Sequence, residues 1–267
     1  MVECPESKLR ISEEPLMLQL LPIASGSTGN CMLVDLDGHC ILIDLGVTAK
    51  ALLAALGTNG YGWDDIDAVL ITHSHSDHVK GLDVCMKRIA APVYTSGTTR
   101  DTLMLDRALI LPYTEKVEIL PGIRVTAIRT SHDCPGSVGF LIESARCRLG
   151  YLTDLGVIPE STMELLFGCD CIVIESNHDE QMLRYGRYPV HLKRRILSDH
   201  GHLSNIDASA AIARFAEHGT KHFFLAHLSQ ENNLPSLALN CARKATAGMD
   251  AAIRVLPVSG TEIVTVY

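Results

Sequence analysis

Three imidazoles and a carboxylate fall within six residues of this chain, in Ile71-Thr72-His73-Ser74-His75-Ser76-Asp77-His78. They follow directly on the apolar run Ala68-Val69-Leu70-Ile71, which has the length and composition of a short buried strand. With extended geometry carried past the strand end, His73 and His75 project to the same side. Asp77 and His78 then come as the chain turns into a helical stretch over 78–89. Imidazole nitrogens and carboxylate oxygens are common ligands of divalent transition metals. The H-x-H-x-D-H spacing at a strand end therefore predicts a metal-binding loop rather than a solvated polar turn.

Such a loop needs a core to hold it, and the composition can build one. Of 267 residues, 47% are apolar, 20% charged and 5% aromatic, an ordinary aliphatic globular balance. A chain of this length buries roughly three quarters of its unfolded surface. No repeat, linker or low-complexity tract interrupts it, so residues 1–267 read as a single domain. The nine cysteines are scattered, odd in number and without a C-x-x-C pair. That usage suits buried thiols in a reducing cytoplasm better than a disulfide framework. Leu16 to Ala24 is the only segment resembling a signal-peptide core, but it is short and follows Glu13 and Glu14, so it reads as a first strand. No apolar run approaches the ~20 residues a membrane helix requires. The net charge of −8 means that any contact with nucleic acid needs a local basic face.

Strands are predicted over 16–23, 31–36 and 40–43, the last ending in Asp44, and a helix over 48–56 returns the chain to the metal strand. The loop Ala24-Ser25-Gly26-Ser27-Thr28-Gly29-Asn30 reads equally as a backbone cradle for phosphate or as a wide polar hairpin; it lacks the lysine and helix of a nucleotide loop. Asp37-Gly38 is a hairpin turn. Beyond the metal loop come a helix over 78–89, a strand over 92–95, a helix over 98–105, paired strands over 116–120 and 123–129, and a hairpin over 139–144 and 148–153. Strands over 169–176 and 221–226, a helix over 237–247, and strands over 253–257 and 263–267 complete the chain, the last two finishing a second sheet. His132, Asp154 and His227 each stand at the end of one of these strands, as His73 does.

Three further stretches carry chemistry. His178, in Ser176-Asn177-His178-Asp179-Glu180, reads either as a substrate contact or as part of a helix start capped by Asn177. Residues 184–195 hold Arg184, Arg187, Lys193, Arg194, Arg195 and two tyrosines without an acid, which fits either a phosphate-backbone contact with stacking aromatics or a solvated helix face. Ser204 and Asp207 form an S-x-x-D capping box that starts a helix, and free amides at such a start attract anions. His202, just before it, is placed to meet a phosphate as binder or proton donor, with Ser204 and Asn205 in the same turn.

The H-x-H-x-D-H loop resembles that of the metallo-β-lactamase superfamily. The motifs at 24–30, 176–179, 201–205 and Ala226-His227-Leu228-Ser229-Gln230-Glu231-Asn232 further resemble its bacterial WalJ (YycJ) subfamily over nearly the whole chain. The resemblance implies an α/β fold, a four-layer αβ/βα sandwich. It implies two divalent metals (zinc, manganese or iron), one held by His73, His75 and His132 and the other by Asp77, His78 and His227, with Asp154 bridging them and Asp44 orienting the loop from behind. It gives Asp77 a proton-accepting role and leaves either the second metal or His202 to stabilise the leaving 3′-oxygen. Lys193, Arg194, His178, Ser204 and Asn205 are the expected substrate contacts. The subfamily's 5′ to 3′ exonuclease activity on DNA and its link to DNA repair make DNA the expected substrate; the assembly state is open.

A small-molecule phosphodiesterase of PhnP-like type or a thioester hydrolase would use the same metals with a narrower pocket, and a metal-stabilised binding module would use them without turnover. Other relatives fit less well. Flavodiiron proteins carry Glu where this chain has His75, and true β-lactamases lack the bridging carboxylate. Only 73 positions separate Asp154 from His227, too few for the clamp domain of β-CASP enzymes.

Overall fold

Strands flanking the metal loop are apolar and buried at nearly every position, a pattern that requires cover on both faces. The computed structural model describes residues 18–260 and 262–266 and supplies that cover in four layers. The first sheet contains β1 (Leu18–Ala24), β2 (Cys31–Leu36), β3 (His39–Ile43), β4 (Ile66–Leu70), β5 (Val93–Thr95) and β6 (Leu109–Ile110). The second contains β7 (Lys116–Leu120), β8 (Ile123–Arg129), β9 (Val138–Glu143), β10 (Arg148–Leu152), β11 (Cys171–Glu175), β12 (His222–Ala226) and β13 (Ala252–Val255), in consecutive order. β14 (Val264–Val266) pairs antiparallel with β1, Leu18 opposite Val266.

Alternate residues of each strand serve different layers. Leu20, Val34, Ile41 and Leu70 of the first sheet meet Val125, Phe140, Tyr151 and Val173 of the second in the central core. Their neighbours Leu33, Leu42 and Val69 point outwards to Leu52 and Leu56 of the helix Ala49–Thr58. On the far side, Leu141, Ile172 and Leu225 pack against Ala208, Ile212 and Phe215 of the helix Asn205–Glu217. This is the expected αβ/βα sandwich.

Each sheet is antiparallel at one end and parallel at the other: β3, β4, β5 and β6 run parallel, as do β10 to β13. Several strands therefore end at one edge of the sandwich, where α/β sheets commonly bind ligands. Asp44 follows β3, His73 follows β4, His132 follows β8, Asp154 follows β10, and His227 follows β12.

Two expectations are corrected. The last strand does not finish the second sheet; after β13 the chain crosses over and β14 extends the first. The helix expected over 78–89 is broken into Ser76–Val79 and Leu82–Cys85. The amide of Gly81 turns away to the carbonyl of Leu45 at 2.8 Å, and a Cβ there would stand 1.9 Å from the carbonyl oxygen of Val47. The break thus locks the metal loop against the segment that follows β3.

Cys31, Cys85, Cys134, Cys147, Cys169, Cys171 and Cys241 are free thiols, while Cys4 lies outside the described residues, as does the start of the first predicted strand. No helix among the described residues is long and apolar enough to cross a membrane.

Candidate metal centre

The loop after β4 places its ligating atoms as its spacing predicts. His73 Nε2 lies 3.2 Å from His75 Nδ1, and His132 Nε2 approaches the same atom at 3.3 Å. These three nitrogens form one compact group, with ligand atoms within 4.8 Å of one another. Asp77, His78 and His227 form a second: Asp77 Oδ2 is 3.5 Å from His78 Nε2 and 3.7 Å from His227 Nε2. Asp154 stands between them, Oδ2 at 3.3 Å from His78 Nε2 and Oδ1 at 3.9 Å from His132 Nε2. All seven expected ligands meet at one place.

The backbone is bent to achieve this. Asp44, Asp154 and His227 take φ of 59°, 58° and 54°, the left-handed region that is uncommon outside glycine, though Asp and His enter it more readily than most residues. Each occupies the turn just after a strand and carries its side chain into the cluster at the strand ends, Asp44 and Asp154 to His78 and His227 to Asp77. Strained backbone of this kind persists where surrounding structure over-determines it. Here the amide of Asp44 is held by the carbonyl of Leu70, and that of His227 by Ser25 Oγ at 2.9 Å.

Buried carboxylates behind the ligands fix their tautomers. Asp44 is fully buried and accepts from the Thr72 amide at 2.8 Å, from Thr72 Oγ1, and from His78 Nδ1 at 2.7 Å, leaving Nε2 for a metal. A residue that the sequence motifs do not single out does the same on the other side. Glu175, ending β11 and fully buried, accepts from His227 Nδ1 and His202 Nδ1, both at 2.7 Å, through Oε1; its Oε2 accepts from the Leu155 amide at 3.1 Å. The signal available was a carboxylate at a strand terminus, the same position that Asp44 and Asp154 occupy.

Electrostatics follow from this packing. Burial disfavours a charge on Asp154, but His227, His78 and His73 outweigh it and hold its carboxyl well below the usual range. Burial also opposes the ionised form of Glu175, and His202 and His227 outweigh it, bringing its pKa to about 2. In turn, burial works against charge on His227 and His202, yet Asp154 and Glu175 dominate and raise both. Burial and the neighbouring His78 push His73 well down.

A metal pair fits these residues. Asp154 Oδ2 and His227 Nε2 are buried without a hydrogen-bond partner, an arrangement that costs free energy unless a ligand supplies the missing contact. Both atoms belong to the expected donor set. All-nitrogen-and-oxygen ligation by imidazole and carboxylate suits zinc, manganese or iron.

Expected substrate contacts are distributed less simply. His202 lines the metal cleft, a space of about 220 Å³ also bordered by Tyr188, Leu192, Arg195 and Ile196 from the basic stretch. Ser204 caps the helix Asn205–Glu217 by accepting from the Asp207 amide at 3.1 Å, as the capping box predicts. Asn205 does not face the cleft. Its amide is locked with Ser176 and Asn233 in a buried network.

Lys193 is likewise committed, donating to the carbonyls of Arg184 at 2.8 Å and Gly186 at 2.7 Å and so closing the end of the helix Glu180–Tyr185. Arg184 pairs with Glu180 and Arg195 with Asp133. Arg194 is exposed, as is Arg187, and neither has an ion-pair partner among the described residues. His178 is buried outside the cleft, and the helix after it is capped by Asp179 rather than Asn177. The Ser/Gly loop joins β1 to β2 and is tied to the metal loop, with Asn30 Nδ2 reaching Asp77 Oδ2 at 3.3 Å and the Asn30 amide bonding the Asp77 carbonyl, while Ser27 lines the metal cleft.

Residues 39–228 match the family model described as the beta-lactamase superfamily domain. The chain belongs to the metallo-β-lactamase superfamily. Within it, the chain is 37% identical over 223 residues to exodeoxyribonuclease YycJ of Bacillus anthracis, an alignment covering 81% of this chain and 84% of that one. It is 32% identical to exodeoxyribonuclease WalJ of Streptococcus pneumoniae, over 81% of this chain and 83% of the relative. These matches place it in the YycJ-like subfamily of metal-dependent hydrolases. The metallo-β-lactamase-fold protein YhfI of Bacillus subtilis superposes with a TM-score of 0.72 over 93% of this chain and 99% of that one, at 13% identity, and shares the fold.

Proposed function

We propose that the protein is a dinuclear metal-dependent exonuclease that removes nucleotides from the 5′ end of DNA in the cytoplasm, in the service of DNA repair. The observation that carries this reading is the meeting of two ligand groups at Asp154 with a Glu175-held His202 beside them, in a chain 37% identical to a named exodeoxyribonuclease. The whole chain acts as one domain, its two sheets sharing a central core.

His73, His75 and His132 would hold one ion, Asp77, His78 and His227 the other, and Asp154 both. Two such ions would supply Lewis-acid polarisation of the scissile phosphate and a water of lowered pKa. Burial works against the charge of Asp77, but its contact with His227 and the nearby His78 hold its carboxyl below the ordinary range. Asp77 therefore stays ionised in the cleft, ready to take up a proton. His202 offers the reverse. Its Nδ1 donates to Glu175, whose charge favours the protonated ring against burial, so that Nε2 would supply the proton to the departing 3′-oxygen. Exposed Arg187 and Arg194 lie in the stretch that borders the cleft and would follow the phosphate backbone.

The test is incubation of metal-loaded protein with duplex DNA labelled at the 5′ or the 3′ end, and with bis-p-nitrophenyl phosphate. The 5′ label should appear at once in mononucleotides while the 3′-labelled strand shortens stepwise. Cleavage of the small diester alone would establish a small-molecule phosphodiesterase instead.

A further inference from the structure

Beside the metal cleft lies a second cavity, of about 470 Å³, and the two share the side chain of His202. Its size is within the range of pockets that enclose small organic molecules. Val157, Ile158, Met163, Leu197 and Leu203 give it apolar walls. His178 also lines it. That side chain is 1% exposed, yet neither ring nitrogen has a hydrogen-bond partner. Buried polar atoms in this state are costly unless something supplies the missing bonds. The residue is held in place by its backbone, whose carbonyl accepts from the Asn205 amide at 2.8 Å.

The charges around the cavity argue against phosphate as its occupant. Arg184 is paired with Glu180, and Arg214 with Glu160. Asp199 and Asp207 add negative charge to the lining. The start of the helix Asn205–Glu217 opens here, but Ser204 already caps it and Asp207 sits in its first turn, which offsets the attraction for an anion. Burial lowers the pKa of His178 and favours the neutral ring. A neutral imidazole presents one donor and one acceptor. Apolar walls with such a pair suit a flat, uncharged heterocycle that carries donors and acceptors along its edge, as nucleobases do.

We infer that this cavity receives the base of the 5′-terminal nucleotide as it is removed, with His178 hydrogen-bonding the base edge and the phosphodiester lying across His202 in the metal cleft. The inference rests on the exonuclease reading and adds to it a subsite that draws the terminal base off its neighbour. Bases are extruded most easily where stacking is already incomplete, as at a strand end.

The experiment compares kcat/KM on two single-stranded oligonucleotides, one with an ordinary 5′ nucleotide and one with a tetrahydrofuran abasic residue there. Wild-type protein should remove the abasic residue at least about tenfold more slowly, the value of one or two hydrogen bonds. His178→Leu keeps the bulk and removes both polar atoms. It should lose about tenfold on the ordinary substrate and no longer distinguish the two, with metal content unaltered. Equal wild-type rates on both substrates overturn the base pocket and leave the exonuclease reading standing. Absence of 5′ release from either substrate overturns both. The wild-type comparison decides the matter even if the variant fails to fold.

Discussion

The Asp44 carboxylate accepts from His78 Nδ1 at 2.7 Å and from the Thr72 amide at 2.8 Å, so one buried anion fixes both the start and the end of the metal loop. Asp44→Asn keeps the shape but weakens both bonds and lets the His78 ring choose the wrong tautomer. Affinity at the site of Asp77, His78 and His227 should fall by about 10–100-fold, as for other groups that orient metal-bound histidines. Competition with a coloured chelator measures it. A variant with unchanged affinity at that site would remove Asp44 from the centre.

Asp154 is the one proposed ligand common to both ions. Asp154→Ala should leave the purified protein with at most one metal per chain against two in the wild type, read by elemental analysis after reconstitution. Retention of two ions would show that the bridge lies elsewhere.

Glu175 and His202 can be separated. His202→Ala should keep its metals and lose about 10²–10⁴ in turnover on DNA if proton transfer is its task. The loss should be smaller on a diester with a good leaving group, which needs little protonation. Glu175→Gln releases both His202 and His227, so it should lose turnover and weaken metal binding together. If His202→Ala sheds a metal as well, His202 is a ligand rather than a proton donor.

Salt dependence identifies the cations that meet DNA. Replacing Arg187 and Arg194 with Ala should flatten the log–log plot of affinity against salt by roughly 0.9 for each phosphate that is no longer neutralised on duplex DNA. Lys193→Ala should instead lower the melting temperature, because its ammonium holds two backbone carbonyls. An unchanged slope in the arginine variants would reduce the stretch to a solvated face.

Metal uptake should be proton-linked. Burial opposes charge on His78 and His227, but Asp154 and its neighbouring carboxylates hold both pKa values above the usual histidine range, so the metal-free centre carries protons on two ligands. Those protons contribute stability to the metal-free fold below about pH 6.5 and that contribution is lost as pH rises through the raised values. Binding must expel them, so affinity should increase with pH across the same window. Calorimetry in buffers of different ionisation enthalpy counts the protons. Zero release at pH 6.5 would contradict the assignment.

The H-x-H-x-D-H loop is legible in the sequence because it follows a recognisable apolar strand and the two-residue spacing of His73 and His75 has a direct geometric meaning, whereas His132, Asp154 and His227 stand at strand ends that only the resemblance to the superfamily singles out as ligands. Glu175 is hidden by its own strand: after Cys171-Ile172-Val173-Ile174 it looks like the polar end of a buried run, and its partners arrive from 27 and 52 residues away. The break at Gly81 depends on carbonyls of Leu45 and Val47, which no local pattern announces. The sheet joined by β14 is equally invisible, since three alternating residues fit either edge. The cationic character of 184–195 is plain from composition, yet which cations are free is decided by tertiary neighbours: Lys193 is spent on carbonyls and Arg195 on Asp133.

The pairing of Leu18 with Val266 has a topological consequence. It makes positions 18 and 266 neighbours at the end of β1 opposite Ser25, the residue that anchors His227. In a chain trimmed to residues 18–266, a short linker between them would close a ring at the end of β1 away from Ser25. New termini could then be opened at an exposed tip such as Gly122, between β7 and β8, giving a circular permutant whose seven proposed ligands remain in the same sandwich.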